Sequence, residues 1–199
     1  MYLLLETIKV VDRKLQNIDL HNERLNYSRK EIWGIDSRLA LEKIIQIPDN
    51  VDNGIFKCRV LYGKEIEKVA FLPYQIKPIE SLLIVEADQI SYAYKFADRQ
   101  EIEKLMPDSA LAKTDILITQ KGLIKDTSYA NIVFFDGKKY ITPLTPLLKG
   151  TKRELLLRKG QLIAQEISVQ DLKKFQFAKI INAMIDLEES PIISISAIN

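Results

Sequence analysis

The stretch Ser91-Tyr-Ala-Tyr-Lys-Phe-Ala-Asp-Arg99 separates two differently patterned parts of the chain. The apolar run before it, residues 82–85, predicts a strand, and the polar segment after it, residues 100–104, predicts the start of a helix. Lys95 therefore lies where a strand gives way to a helix, between aromatic neighbours. Two interpretations of this lysine stay open. Its stem packs on the rings while its ammonium reaches water, or it is a desolvated amine that forms a Schiff base.

Composition narrows the class of protein before any motif is considered. The 199 residues are 47% hydrophobic and 28% charged, as in a globular chain, and the net charge of +2 gives no support for nucleic-acid binding. Cys58 is the only cysteine and His21 the only histidine, which excludes an internal disulfide and argues against a zinc site. The sequence contains no bilayer-spanning run and no signal-peptide pattern. We therefore expect a cytoplasmic protein without a membrane partner or a resident metal.

The pattern before residue 88 predicts a sheet that carries two consecutive helices. Asp19 suits the N-cap of the first helix, Gly34 suits its end, and Pro48 ends the second. Alternation of apolar and polar residues indicates the half-buried strands. The expected elements are strands at residues 3–11, 15–18, 55–61, 68–72 and 82–85, and helices at 20–33 and 36–48.

The pattern after the lysine stretch predicts mostly strands. Gln120-Lys-Gly122 and Asp136-Gly137 are turn sequences that predict two hairpins, and Ser168 with Asp171 forms a capping-box pattern before a short helix. The expected elements are strands at 115–119, 123–125, 131–135, 139–142, 178–185 and 191–195, and a further helix at 150–160. The whole pattern predicts an α+β fold with two subdomains, residues 1–88 and 89–199.

Four features outside the lysine stretch have residue types that suit one anionic ligand. Arg24 lies on the first predicted helix, where arginine is usually solvated but where its planar fork can hold a phosphate. Thr151 and Lys152 begin a helix, and the backbone N–H groups of a helix start bind anions. Asp126 ends a strand, where an aspartate usually caps local backbone. Asn182 interrupts an apolar strand, so its amide needs a backbone or ligand partner.

A Schiff-base amine, an acid for a pyridinium nitrogen and a phosphate cradle are what a pyridoxal-phosphate site requires from its protein. The order of short motifs along the chain supports that interpretation. The motifs are Leu5-Glu-Thr-Ile-Lys9, His21-x-x-Arg24-Leu25, Lys95-Phe-Ala-Asp-Arg99, Asp126-x4-Asn131, Thr142-Pro143 with Gly150-Thr-Lys-Arg153, and Asn182-Ala-Met184. In this order they resemble the class IV (fold type IV) pyridoxal-phosphate enzymes, which include aminodeoxychorismate lyases, branched-chain aminotransferases and D-amino-acid aminotransferases.

The resemblance implies a small N-terminal α/β sandwich-like subdomain and a larger, strand-rich C-terminal pseudo-barrel with helices. It also implies a homodimer that acts on a small amino substrate with pyridoxal 5'-phosphate as cofactor. Lys95 takes the position of the Schiff-base lysine, and Asp126 that of the acid on the pyridine nitrogen. The cofactor-binding positions that the resemblance implies are Arg24, Lys95, Arg99, Asp126, Thr151, Lys152, Asn182 and Ala183.

Within the family, the spacing Lys95-x-x-x-Arg99 and the Asn182-Ala-Met sequence are most similar to aminodeoxychorismate lyase. That enzyme of folate synthesis converts 4-amino-4-deoxychorismate to pyruvate and 4-aminobenzoate. A class IV aminotransferase for branched-chain or D-amino acids stays open, as does a family member that binds without catalysis. Arg59 and Tyr62 are candidates for binding the substrate carboxylate. Arg99 is a candidate for stabilising the phenolate oxygen of the cofactor.

The chain departs from the family pattern at three places. It begins almost at Glu6-Thr-Ile, so we expect it to lack the family's preceding Tyr-Gly-Asp-Gly loop, which helps to shape the substrate side of the pocket. Asp126 stands where the family has glutamate, so its carboxylate must come closer or act through water. Gln100 stands where the branched-chain enzymes have a tyrosine.

Overall fold

The structure is a computed structural model that describes residues 2–108 and 110–199. Its chain forms two compact units. The first unit contains the residues up to Ile76 together with Tyr94–Asp98, and the second contains Lys77–Ala93 and Arg99–Asn199. The sequence pattern places the division at residue 88, whereas the chain divides at residue 76. The reason is that strand Ser81–Glu86 pairs along its whole length with strand Thr114–Gln120 and so belongs to the second unit.

The first unit is an antiparallel sheet with one long helix. Its strands are β1 (Leu4–Val11), β2 (Lys14–Leu15), β3 (Ile55–Tyr62) and β4 (Ile66–Pro73), and its long helix is α1 (Ile18–Trp33). The strand order is β2-β1-β3-β4. Leu4 and Ile8 of β1 form a fully buried core with Leu25 of α1. Because side chains alternate along a strand, Glu6 lies on the same face of β1 as these two core residues.

The ends of α1 show one wrong prediction and one confirmed prediction. Asp19 is not the N-cap: the helix begins at Ile18, and Asn17 is the capping residue, with a φ of 52° and no side-chain cap bond. Asp19 lies instead in the first turn, where its negative charge interacts favourably with the positive end of the helix dipole. Gly34 ends the helix as predicted, with a φ of 67°, which is a conformation that glycine adopts without strain.

The second predicted helix is wrong over most of its length. Only Leu41–Ile44 are helical (α2), and residues 35–40 are irregular. Two asparagines of α1 explain the difference. The side chain of Asn26 donates to and accepts from the backbone of Leu39 at 2.8 Å each, and Asn22 Oδ1 accepts from the N–H of Leu41 at 2.8 Å. These bonds satisfy the backbone groups that a helix would otherwise pair.

The second unit is built on an eight-stranded mixed sheet. Its strands are β5 (Ser81–Glu86), β6 (Thr114–Gln120), β7 (Leu123–Thr127), β8 (Asn131–Phe135), β9 (Tyr140–Pro143), β10 (Ile163–Gln165), β11 (Phe177–Ile181) and β12 (Ile193–Ser194). The order is β10-β9-β8-β7-β6-β5, with β11 paired to β8 and to β12. Among the strand pairs of the described residues, β5–β6 and β9–β10 are parallel and the others are antiparallel. This mixed sheet with few helices confirms the predicted α+β class.

The helices of the second unit are short. They are α3 (Gln100–Glu103), α4 (Thr151–Arg158) and two 3₁₀ helices, Val169–Lys174 and Ile195–Ala197. The predicted capping box of Ser168 and Asp171 is confirmed at the first 3₁₀ helix. In the part of the chain that the structure describes, no helix has both the length and the apolar character that a membrane span requires.

Turn residues fix the predicted hairpins, but the last long strand is shorter than expected. Lys121 and Gly122 between β6 and β7 have φ of 51° and 71°, and Gly137 between β8 and β9 has a φ of 98°. Strand β11 ends at Ile181 instead of residue 185. Asn182 begins a turn there, because its Oδ1 accepts the N–H groups two and three residues ahead at 2.8 and 3.1 Å.

Candidate active site

Lys95 lies at the centre of a three-residue turn in the first unit. The N–H of Phe96 donates to the carbonyl of Tyr94 at 2.9 Å, which is the hydrogen bond of a γ-turn. The N–H of Leu5 on β1 donates to the carbonyl of Lys95, also at 2.9 Å. These two bonds hold the backbone from which the half-buried side chain of Lys95 projects.

A buried polar cluster joins β1 to α1 in the same unit. The carboxylate of Glu6 is fully buried and accepts hydrogen bonds from Arg24 Nε at 2.8 Å, Arg24 Nη2 at 2.6 Å and His21 Nδ1 at 2.6 Å. His21 is 1% exposed and the Arg24 side chain 14%. The two helical residues are three positions apart, so they lie on one face of α1. That face points to the strand that carries Glu6.

The electrostatics of this cluster separate a charged acid from a neutral imidazole. Burial alone would raise the pKa of Glu6, but the charge of Arg24 and the hydrogen bonds from His21 and Arg24 lower it to about 2. Burial lowers the pKa of His21, and the charges of Arg24 and Lys95 lower it further against the pull of Glu6. His21 is therefore neutral at pH 7 and donates through Nδ1.

The contact with Glu6 decides which edge of Arg24 can face an anion. The Nε–Nη2 edge is bound to Glu6. A guanidinium has five N–H bonds, and the three that do not serve Glu6 point away from it. A phosphate on Arg24 would therefore be met by the Nη1 side of the group.

The two candidate substrate residues do not come together. Arg59 and Tyr62 are three positions apart on β3, so their side chains lie on opposite faces of the strand. Arg59 is exposed, whereas Tyr62 is fully buried in the core of the first unit, where burial raises its pKa. Arg59 is therefore the accessible one of the two candidates, and a role of either residue in binding the substrate carboxylate stays a prediction.

Asp126 is a buried strand residue of the second unit and not the turn cap that is common at such positions. Its Oδ1 accepts from Asn131 Nδ2 at 2.7 Å, and its Oδ2 accepts from the N–H of Leu148 at 2.9 Å. Burial raises the pKa of Asp126 to about 7, although both bonds and the charge of Arg153 oppose the rise. A buried carboxyl near its titration point gains strongly from an adjacent cation.

Helix α4 begins beside these residues in the same unit. The first N–H groups of a helix have no intrahelical acceptor, so those of Thr151 and Lys152 suit an anion. The ammonium of Lys152 does not serve that purpose, because it is buried in an ion pair with Asp186. Arg153 Nη2 donates to the carbonyl of Pro143 at 2.7 Å and ties the helix start to the Thr-Pro segment.

Three further predicted positions have local partners. Arg99 Nη2 donates to the carbonyl of Ser128. Asn182 uses its Oδ1 for its own turn, and Ala183 is a partly buried member of that turn. Their roles toward a cofactor stay predictions. The structure thus groups Arg24 and Lys95 in the first unit, and Asp126 with the start of α4 in the second.

Gly150 lies so close to the side chain of Asn131 that the structure has no room for a larger residue there. A Cβ built on it would lie 2.1 Å from Asn131 Oδ1, and Asn131 Nδ2 is held by Asp126 and by the carbonyl of Leu148 at 2.9 Å. Gly150→Ala is therefore expected to displace the Asn131 amide and to destabilise the protein by about 2–4 kcal/mol. Urea unfolding measures the change.

The matched control for Gly150→Ala removes the amide that it strikes. In an Asn131→Ala background the added methyl group meets no amide. Gly150→Ala is therefore expected to lower the free energy of unfolding much less in that background than in the native protein. Equal costs in both backgrounds would show that the close approach of Gly150 to Asn131 is not what requires glycine.

Sequence reasoning assigned no role to Glu6, His21 or Asn131. All three lie in the quoted motifs, but their roles are hydrogen bonds to other side chains. A usable signal was present: Glu6 is an acid within an apolar strand, and His21 and Arg24 follow it at helical spacing. A buried acid requires donors, and a histidine and an arginine on one helix face supply them.

The chemistry of the donors fits pyridoxal phosphate. The first unit offers an amine and an arginine, and the second offers a helix start for an anion. Asp126 is the most specific fit. Its buried carboxyl has a pKa of about 7, so an adjacent protonated pyridine nitrogen would keep it ionised.

Comparison with known proteins gives the family. The sequence profile of the family amino-transferase class IV matches residues 3–195. An uncharacterised protein of Haemophilus influenzae is 37% identical over 186 residues, which are 92% of this chain and 98% of that protein. The match therefore covers nearly all of both chains.

Solved structures agree with the profile. A crystal structure from Haemophilus somnus 129PT, of a protein proposed to be a 4-amino-4-deoxychorismate lyase, has a TM-score of 0.84 and 30% identity over 94% of this chain and 98% of its own. A hypothetical aminotransferase from Mycobacterium tuberculosis, solved with α-ketoglutarate and PMP bound, has a TM-score of 0.78 and 14% identity over 96% of this chain and 80% of its own, which shows the shared fold. The chain therefore belongs to the class IV aminotransferase family and is a pyridoxal-phosphate-dependent lyase or aminotransferase.

Proposed function

We propose that the protein is a 4-amino-4-deoxychorismate lyase that releases pyruvate and 4-aminobenzoate. The observation that carries the proposal is the 30% identity, over 94% of the chain, to the Haemophilus somnus protein proposed to have this activity. The lyase-like spacing of Lys95 and Arg99 supports it. By the same resemblance we propose a homodimer that serves folate synthesis in the cytoplasm.

Bound pyridoxal phosphate supplies an aldehyde for the substrate amine and a ring that accepts electrons from the adjacent carbon. Lys95 would hold the cofactor through its amine, and that amine, once the substrate amine has taken its place, would be free to move protons. Its Nζ takes the proton from the ring carbon that bears the substrate nitrogen. The bond between the neighbouring ring carbon and the enolpyruvyl oxygen then breaks, and the ring becomes aromatic. Lys95 Nζ returns its proton to the methylene carbon of the departing enolpyruvyl group, which leaves as pyruvate.

The other residues hold charge in place. Asp126 keeps a proton on the pyridine nitrogen, and that positive charge in turn keeps the buried carboxyl ionised. By the family resemblance, Arg24 is proposed to bind the phosphate. The same role is proposed for the backbone N–H groups of Thr151 and Lys152, with Asn182 and Ala183 as further contacts. Arg99 stabilises the phenolate oxygen.

A substrate comparison tests the proposal. Protein loaded with pyridoxal phosphate is incubated with 4-amino-4-deoxychorismate, or with a branched-chain or D-amino acid plus α-ketoglutarate. We expect 4-aminobenzoate and pyruvate to appear without any added keto acid, and we expect no amino exchange. Amino exchange without 4-aminobenzoate would replace the lyase by the aminotransferase alternative. A protein that takes up the cofactor and performs neither reaction would be the non-catalytic family member.

A further inference from the structure

The carboxylate of Glu6 is fully buried and accepts hydrogen bonds from both His21 and Arg24. Burying such a charge is costly unless it is paired. All three donors reach it at 2.6–2.8 Å, the short distances of charge-assisted bonds. The arrangement satisfies the acid, but it also fixes the donors. The planar guanidinium of Arg24 is held at two of its nitrogens, which leaves it one orientation.

A simpler salt bridge would not need the third partner. His21 is neutral, so it adds no charge to the pair, and its Nδ1–H occupies the oxygen that also accepts from Arg24 Nη2. This third bond limits rotation of the carboxyl group about its own axis. The ring of His21 thereby fixes Glu6, and Glu6 fixes Arg24.

We infer that Glu6, oriented by His21, is a positioning residue that aims the Nη1 side of Arg24 at the phosphate of pyridoxal phosphate. The inference rests on the proposed role of Arg24 in the phosphate site and not on which reaction the enzyme performs. Glu6 itself faces the guanidinium and does not touch the phosphate. Its effect is on the direction of the N–H bonds and on the charge that the phosphate meets.

Two cofactor forms separate this role from a merely structural one. The cofactor-free full-length protein is titrated with pyridoxal phosphate and with pyridoxal, which lacks the phosphate, and the ratio of the two dissociation constants is compared between variants. The ratio is the dissociation constant of pyridoxal divided by that of pyridoxal phosphate, so it measures the preference for the phosphate. In Glu6→Gln the amide turns a donor toward Arg24 or loses one acceptor, and this ratio is therefore expected to fall about ten- to hundredfold. His21→Ala is expected to lower it in the same direction but less. A general loss of folding would weaken both ligands alike and leave the ratio unchanged.

Matched variants complete the design. Glu65→Gln breaks an exposed 3.7 Å pair with Arg29 in the same unit and is expected to leave the ratio at its original value. In an Arg24→Gln background, Glu6→Gln is expected to have no further effect on the ratio, because it acts through that arginine. A full effect of Glu6→Gln in that background, or an unchanged ratio in Glu6→Gln alone, would overturn the inference. A native protein that prefers neither form would overturn it too. Failure of the lyase assay with the ratio intact would count only against the proposed reaction.

Discussion

Replacing Lys95 with alanine is expected to abolish covalent attachment of pyridoxal phosphate and to lower turnover by at least about 10⁴-fold. Lys95 is the proposed Schiff-base lysine, and its backbone is fixed by the Leu5 bond and the γ-turn. Without its amine no group at this position can carry the cofactor or move the substrate proton. The absorption spectrum and the mass of the borohydride-treated protein measure the attachment, and the assay with 4-amino-4-deoxychorismate measures the rate.

Two controls make the Lys95 result interpretable. Lys43→Ala removes an exposed lysine of α2 and is expected to leave spectrum and rate unchanged. Lys95→Arg keeps the positive charge near His21 but offers no Schiff-base amine. It is therefore expected to lose covalent attachment of the cofactor and turnover to the same extent as Lys95→Ala. A yellow Lys95→Ala protein that borohydride still labels would assign the cofactor to another lysine.

Asp126→Asn is expected to lower the rate by about 10²- to 10³-fold while the fold is retained. The amide has nearly the shape of the carboxyl, but it carries no charge to hold a proton on the pyridine nitrogen. Asp126→Glu restores the charge with one extra methylene group and is expected to lose less. If Asp126→Asn turned over at the native rate, Asp126 would have no part in tuning the cofactor.

The same residue is expected to make the stability of the cofactor-free protein depend on pH. Burial raises the pKa of Asp126 from 3.8 to about 7, so its contribution to stability is fully present below pH 3.8 and is lost as the pH rises through 7. Between pH 5 and pH 8 the native protein should lose about 3 kcal/mol relative to Asp126→Asn. Urea unfolding at the two pH values measures the difference. Parallel changes in both proteins would show that Asp126 does not titrate in this range.

The sequence predicted the features that depend on local chemistry or on motif order. The hairpin at Gly137, the capping box at Ser168 and the end of α1 at Gly34 each follow from the conformations of a few residues, and all three are confirmed. The family followed from the order of the motifs. The contact of Glu6 with Arg24 joins a strand to a helix, so its only signal in the sequence is an acid within an apolar strand, followed by a histidine and an arginine at helical spacing.

The errors have tertiary causes. Residues 36–40 have helical periodicity, but the side chains of Asn22 and Asn26 take over their backbone bonds. The two compact units divide the chain after Ile76, because pairing partners, and not composition, decide where a strand such as Ser81–Glu86 belongs.

The return of Tyr94–Asp98 to the first unit has a consequence for biosynthesis. During translation, β1 leaves the ribosome early, but the segment that bonds to Leu3 and Leu5 follows only after the whole of β5 has been made. A contact of such sequence separation forms slowly, since a long loop must close first. The nascent chain can build most of its first sheet without ever placing Lys95. The lysine is then among the last parts of that unit to find its position, which keeps a reactive amine out of its final setting until much of the chain exists.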